Sequence, residues 1–253
     1  NFSYVIPMAY NTQQPGVPAP PGLIGMQWME KPSATNSPPG LEYLGLIDHI
    51  QIKQEKELAE IVLGWETNNR YVIFNGTGQQ VYYAYEESGC LSRQCCGKYR
   101  GFTLHIVDNF KQEVMRISRP FMLCAGCSWC AIPGTCCSYT VTVEAPVGNV
   151  IGTVQEKVSG CGSAYQIVDS TGTKVLDIEG PCCCKFLTCQ DKVFNIRTTS
   201  GVEVGAIRKK WSGLLQEAFT DADNFGVNFP MDLAIKTKAT LIGATFLIVS
   251  FNF

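Results

Sequence analysis

Histidine is nearly absent from this chain of 253 residues, which holds two, His49 and His105. Each falls inside a strand-like alternation with no serine or cysteine nucleophile motif attached. No glycine-rich phosphate loop is present either, so conventional nucleophilic or nucleotide chemistry has little support. A basic excess is missing too. Twenty Lys and Arg against 22 Asp and Glu leave a formal charge of -2, which gives a general nucleic-acid-binding role no electrostatic footing. Only 17% of residues are charged and 45% are hydrophobic, a composition able to bury a substantial core. The opening "NFSYVIPMAYNTQQPGVP" is soon broken by prolines, so no secretory signal is expected and the cytosol is favoured. The sequon Asn75-Gly76-Thr77 accordingly carries little weight.

Proline is scarce beyond residue 39: 8 of the 13 prolines lie within the first 39 residues. Residues 1–40 are therefore expected to be a proline-rich mobile tail, with extended polyproline backbone and no periodic apolar face. Pro15-Gly16-Val17-Pro18 and Pro18-Ala19-Pro20-Pro21 have the spacing that docks to an SH3-type partner. The plain alternative is a linker that nothing binds.

Residues 41–253 are expected to form the folded domain. Five segments share one pattern of alternating strand, turn and second strand: "RYVIFNGTGQQVYYAYEE", "FTLHIVDNFKQEVMRI", "SYTVTVEAPVGNVIGTV", "AYQIVDSTGTKVLDI" and "VFNIRTTSGVEVGAI". Phe102, Leu104 and Ile106 share one face, with Thr103 and His105 on the other; Tyr139, Val141 and Val143 repeat the arrangement. "LIDHIQIKQ" adds a strand before the hairpins and "FGVNFPMDLAIKT" one after, about twelve in all. So many strands are expected to close into an antiparallel barrel, which removes exposed edges.

Two segments break this rhythm. In "WSGLLQEAF", Trp211, Leu214, Leu215, Ala218 and Phe219 make the stripe of a short amphipathic helix. The stretch 239–253, "ATLIGATFLIVSFNF", carries no charge. As a helix it spans about 22 Å, short of the roughly 30 Å of a bilayer core. A helix apolar on all sides must be buried, and a barrel of about twelve strands is too wide for its own side chains to fill. The expectation is a C-terminal helix at the barrel's centre, with membrane insertion as the alternative.

"PPGLEYL", "WETNNRY" at Trp65 to Tyr71, "MLCAGCSWC" and the long "KKWSGLLQEAFTDADNFGVNFPMDL" before an apolar C-terminus resemble the phospholipid scramblases, from Pro38 onward. The resemblance implies a tubby-like closed barrel around a hydrophobic helix. It also implies a calcium-responsive protein of the cytoplasmic membrane face that moves phospholipids between leaflets.

"DADNFGVNFPMD" has the outline of a calcium loop, but the helix-loop-helix ligand positions 1, 3, 5, 9 and 12 are Asp221, Asp223, Phe225, Phe229 and Asp232. Two of the five offer no side-chain oxygen, and the second half alternates like a strand. A weaker site remains, formed by Asp221, Asp223, Asp232 and Asn224, with an affinity on the order of 10⁻⁴ to 10⁻³ M. The alternative is acids capping a turn; the resemblance points to binding.

Thirteen cysteines, several of them adjacent, do not read as a disulfide framework. Cys124, Cys127 and Cys130 stand three apart, with Cys136 and Cys137 following. Spacing alone allows fatty acylation, plain thiols, or a zinc site from Cys124, Cys127, Cys136 and Cys137. The resemblance implies acylation at Cys124, Cys127 and Cys130. Arg208, Lys209 and Lys210 form a basic cluster legible to an import receptor or attracted to an anionic membrane surface. Lys236 and Lys238 would suit a headgroup layer if the last helix inserted. Three functions follow: calcium-dependent, ATP-independent scrambling of phospholipids; an anionic-lipid-binding module that does not transport; or an adaptor working through its tail. The expected location is the cytoplasmic face of the plasma membrane, or the nucleus when unacylated.

Overall fold

The computed structural model describes residues 27–33, 37–55, 69–87, 100–122, 131–133, 137–160, 162–181, 192–209 and 224–252. A 3-10 helix, Glu42–Leu46, precedes twelve strands. They are β1 (His49–Glu55), β2 (Arg70–Asn75), β3 (Gln80–Glu87), β4 (Phe102–Val107), β5 (Glu113–Arg119) and β6 (Thr140–Glu144), then β7 (Val150–Lys157), β8 (Ala164–Asp169), β9 (Lys174–Glu179), β10 (Lys192–Thr198), β11 (Glu203–Lys209) and β12 (Asn224–Asn228). Each pairs antiparallel with its neighbours, and β1 closes the barrel by pairing with both β2 and β12. The expected five hairpins are β2/β3, β4/β5, β6/β7, β8/β9 and β10/β11.

Short polar side chains build several of these turns. Asp108 accepts hydrogen bonds from the Phe110 and Gln112 amides at 2.9 and 3.0 Å. Asp169 does the same for Thr171 and Thr173, and Asn75 for Thr77 and Gln79. Such bonds offer the backbone a local alternative to the ladder, so the strand ends where the side chain folds back. A register shift accompanies every one of the five hairpins. Three-residue hairpin loops need a left-handed residue; Gly78 supplies it at φ 82°, while Lys111 takes it at 61°.

Inside the barrel lies α1, Ile235–Asn252. Leu241, Ile242, Ala244 and Leu247 are fully buried, and Thr240 and Thr245 return their hydroxyls to the helix's own carbonyls of Lys236 and Leu241. Fit against the wall is close. A Cβ on Gly243 would come 2.5 Å from Val143 Cγ2, and one on Gly152 of β7 would come 2.7 Å from Thr240 Oγ1. Phe246 meets Tyr71 of β2 edge-on at 5.0 Å. Among the described residues no helix is long and apolar enough to cross a membrane.

The helix starts earlier than the uncharged stretch from Ala239. Lys238 is buried at its first turns, and its ammonium donates to the carbonyls of Leu44, Ile47 and Met231 at 3.0, 2.9 and 2.8 Å. Those three acceptors replace the water the charge gives up. Lys238 therefore faces the interior rather than a headgroup layer. Burial depresses its pKa, against the opposing charges of Asp48 and Asp232.

Contact with the barrel also begins before residue 40. Trp28 bridges Gln80, whose amide donates to the Gln27 carbonyl while its own carbonyl accepts from the Met29 amide. The indole packs on a second apolar cluster formed by Val72, Phe74, Tyr83 and Val107. These residues alternate with the core-facing set of β2–β4, so they sit on the barrel's outer surface.

Candidate functional site

Antiparallel pairing sorts the interstrand connections into two sets. Tight turns after β2, β4, β6, β8 and β10 lie at one end, where α1 also enters. The other end, the rim, is defined by the ends Glu55, Arg70, Glu87, Phe102, Arg119, Thr140, Lys157, Ala164, Glu179, Lys192, Lys209 and Asn224. In the sequence all 13 cysteines lie between strands whose facing ends are at this rim, within 88–101, 120–139, 158–163 and 180–191, and Cys137 is the one among the described residues. The described parts of these connections expose Phe121, Ile132 and Val158. A network ties the rim together: Asn69, from the "WETNNRY" stretch, donates to Glu86 at 2.6 Å and accepts from Gln54 at 2.9 Å, while Arg100 holds both oxygens of Glu86 at 2.9 and 3.0 Å.

The sequence-predicted sites divide differently. Cys124, Cys127, Cys130 and Cys136, with Lys210, Asp221 and Asp223, lie outside the described residues, as does the amphipathic segment 211–219. Cys137 is half-buried on the rim's β5–β6 connection. No group of three or more His, Cys, Asp or Glu able to hold a metal occurs among the described residues. Asn224 and Asp232 do not converge. Asn224 opens β12 at the rim, and Asp232 follows its far end, so the five residues of the strand, about 13 Å at 3.3 Å per step, separate them. Their closeness in sequence misleads because an extended chain carries residues apart quickly.

The basic cluster is split too. Arg208 points outward and is exposed, whereas Lys209 faces inward, 8% exposed, with Nζ 5.7 Å from the Phe225 ring centroid. Strand alternation forbids consecutive side chains from sharing a face. The histidines are both on the outer face. His49 Nδ1 bonds Asn228 Oδ1. His105 stacks on Tyr85 and lies 2.8 Å from Glu113 and 2.9 Å from Glu87. The Glu113 hydrogen bond raises the imidazole pKa, and burial only partly offsets it. Burial works against the Glu113 charge, but hydrogen bonds from His105 and Arg116 overcome it and hold the carboxyl at about 2.

The scramblase family model matches residues 29–253, thus running from Met29, whose amide donates to Gln80, through the end of α1. The chain belongs to the scramblase family. Phospholipid scramblase 1 of Homo sapiens is 46% identical over 230 residues, 90% of this chain and 70% of that one. Its Mus musculus counterpart is 43% identical over 238 residues, covering 93% and 70%. Phospholipid scramblase 2 of Bos taurus is 41% identical over 246 residues, covering 96% and 81%. That every cysteine lies in a segment joining strands on the same side escaped reading from sequence because it depends on strand parity. The available signal was that cysteines occur in the long connections and never in the tight turns.

Proposed function

We propose that this scramblase moves phospholipids in both directions between membrane leaflets, without nucleotide and in response to calcium. The observation that carries the reading is the family match over nearly the whole chain, together with relatives named phospholipid scramblases. Transport down a gradient requires no acid-base pair, and this agrees with histidines engaged by Asn228 and by glutamates. Calcium would be held by Asp221 and Asp223 with Asn224, and acyl chains on Cys124, Cys127 and Cys130 would anchor the rim to the cytoplasmic face of the plasma membrane. Two or three chains hold firmly where one is marginal. Unacylated protein would be free to reach the nucleus, and zinc at Cys124, Cys127, Cys136 and Cys137 is the competing use of those thiols. An SH3-type partner for the proline-rich segment remains part of the proposal.

One structural observation favours a second reading, an anionic-lipid-binding module that does not transport. The helix fills the barrel, with Gly243 against Val143 and Phe246 against Tyr71, so the interior offers no track for a headgroup. Reconstitution into vesicles with headgroup-labelled lipid separates the two. Calcium-dependent exposure of inner-leaflet label to an impermeant quencher supports scrambling; binding without exposure supports the module.

A further inference from the structure

On the outer face of β1, β12 and β11 lies a trough of about 310 Å³, lined by His49, Gln51, Arg208, Asn224, Phe225, Gly226 and Asn228. Strand register explains it. Gly226 pairs with Gln51 on one side and Arg208 on the other, so two long outward side chains flank a position with none, their backbones about 10 Å apart. His49 closes one end against Asn228.

The lining chemistry favours an anion. Arg208 is exposed and pairs with no carboxylate among the described residues. Gln51 and Asn224 add amide donors; Asn228 uses its carbonyl oxygen for His49 Nδ1–H, which leaves its amide nitrogen to donate. No carboxylate lines the trough, so a cation finds no counter-charge there. A guanidinium beside several amides suits a phosphate, which accepts paired hydrogen bonds. The volume sits at the low end for small-molecule sites, about 300 Å³, enough for one phosphodiester headgroup. With a single full charge the affinity is low in free solution, a condition met by a ligand displayed densely on a surface.

We propose that this trough binds the phosphate of an anionic phospholipid headgroup. The proposal rests on the reading of the chain as a phospholipid-handling protein, and it assigns the headgroup to the barrel's outside rather than its filled interior.

Gly226 provides the discriminating variant. An added Cβ would meet only the His49 ring, at 3.4 Å from Cε1, and no positive φ opposes a side chain. Gly226→Val therefore fills the trough, leaves Arg208 in place and suits a strand. Binding is measured by sedimentation with phosphatidylcholine vesicles with and without phosphatidylserine, and by chemical shifts on adding dihexanoyl phosphatidylserine or inorganic phosphate below micelle formation. Expected are shifts at His49 and Gly226 from the lipid, with affinity about tenfold weaker in both Gly226→Val and Arg208→Ala, and unchanged melting temperatures. Undiminished binding by Gly226→Val overturns the proposal, leaving diffuse surface attraction. Equal response to inorganic phosphate overturns the lipid assignment. Scrambling by the wild-type protein is assayed separately: transport without trough shifts sinks this proposal alone, whereas trough shifts without transport sink the transport reading alone.

Discussion

Lys238 Nζ donates a 2.9 Å hydrogen bond to the backbone carbonyl of Ile47, tying the first turns of the central helix to the segment that leads into β1. Leu44 and Met231 complete the set of acceptors. A charge from one end of the sequence thus closes the mouth through which the helix enters. Lys238→Met leaves three carbonyls without this donor, and each buried acceptor so stranded costs about 1–3 kcal/mol. Urea unfolding should show a loss of at least that size, with far-UV circular dichroism unchanged.

Close approach of helix and wall makes a second prediction. The Cβ of Gly243→Ala would stand 2.5 Å from Val143 Cγ2, so helix or strand must shift. Overpacking of this kind costs about 1–3 kcal/mol. The double variant Gly243→Ala with Val143→Ala should recover much of the loss, because the clashing methyl is then gone. A melting-temperature series over the four proteins checks this.

The His105 cluster should make stability depend on pH from both sides. His105 has a folded pKa raised above its ordinary 6.5, so its contribution is full below that value and is lost as pH rises through the folded pKa. Glu113 is held at about 2 against an ordinary 4.5, so its contribution is present above 4.5 and is lost as pH falls towards 2. Between about 4.5 and 6.5 both are present. Relative to wild type, His105→Gln should flatten the decline above pH 6.5 in a plot of melting temperature against pH.

Removal of the Trp28 indole should release the segment that it pins to the outer cluster of Val72, Phe74, Tyr83 and Val107. In Trp28→Ala, limited proteolysis should cut within residues 27–33 at protease levels that spare the wild type there, while the barrel itself persists.

How much of this was legible follows from where each signal resides. Phe102, Leu104 and Ile106 announce their strand because one face is buried and the other wet, and the same holds for all five hairpins. The helix was legible from its missing charge, but its start was not, since Lys238 is a buried cation whose acceptors come from a segment some two hundred residues away. Trp28 lies in the proline-rich part of the sequence, and its bridge to Gln80 at the start of β3 is visible only in the fold. The basic run dissolved into an outward Arg208 and an inward Lys209 once β11 was known to extend through both. Asp232 lies far from Asn224, its neighbour in the expected set, because β12 intervenes.

Whether the helix stays in the barrel while the protein acts on membranes is the central question, and Phe246 reports on it directly. Replacing Phe246 with a photo-crosslinking phenylalanine and irradiating proteoliposomes with calcium present should give an intramolecular link to the β2 peptide containing Tyr71, its ring partner at 5.0 Å. Crosslinks to lipid acyl chains in place of that product would contradict the account.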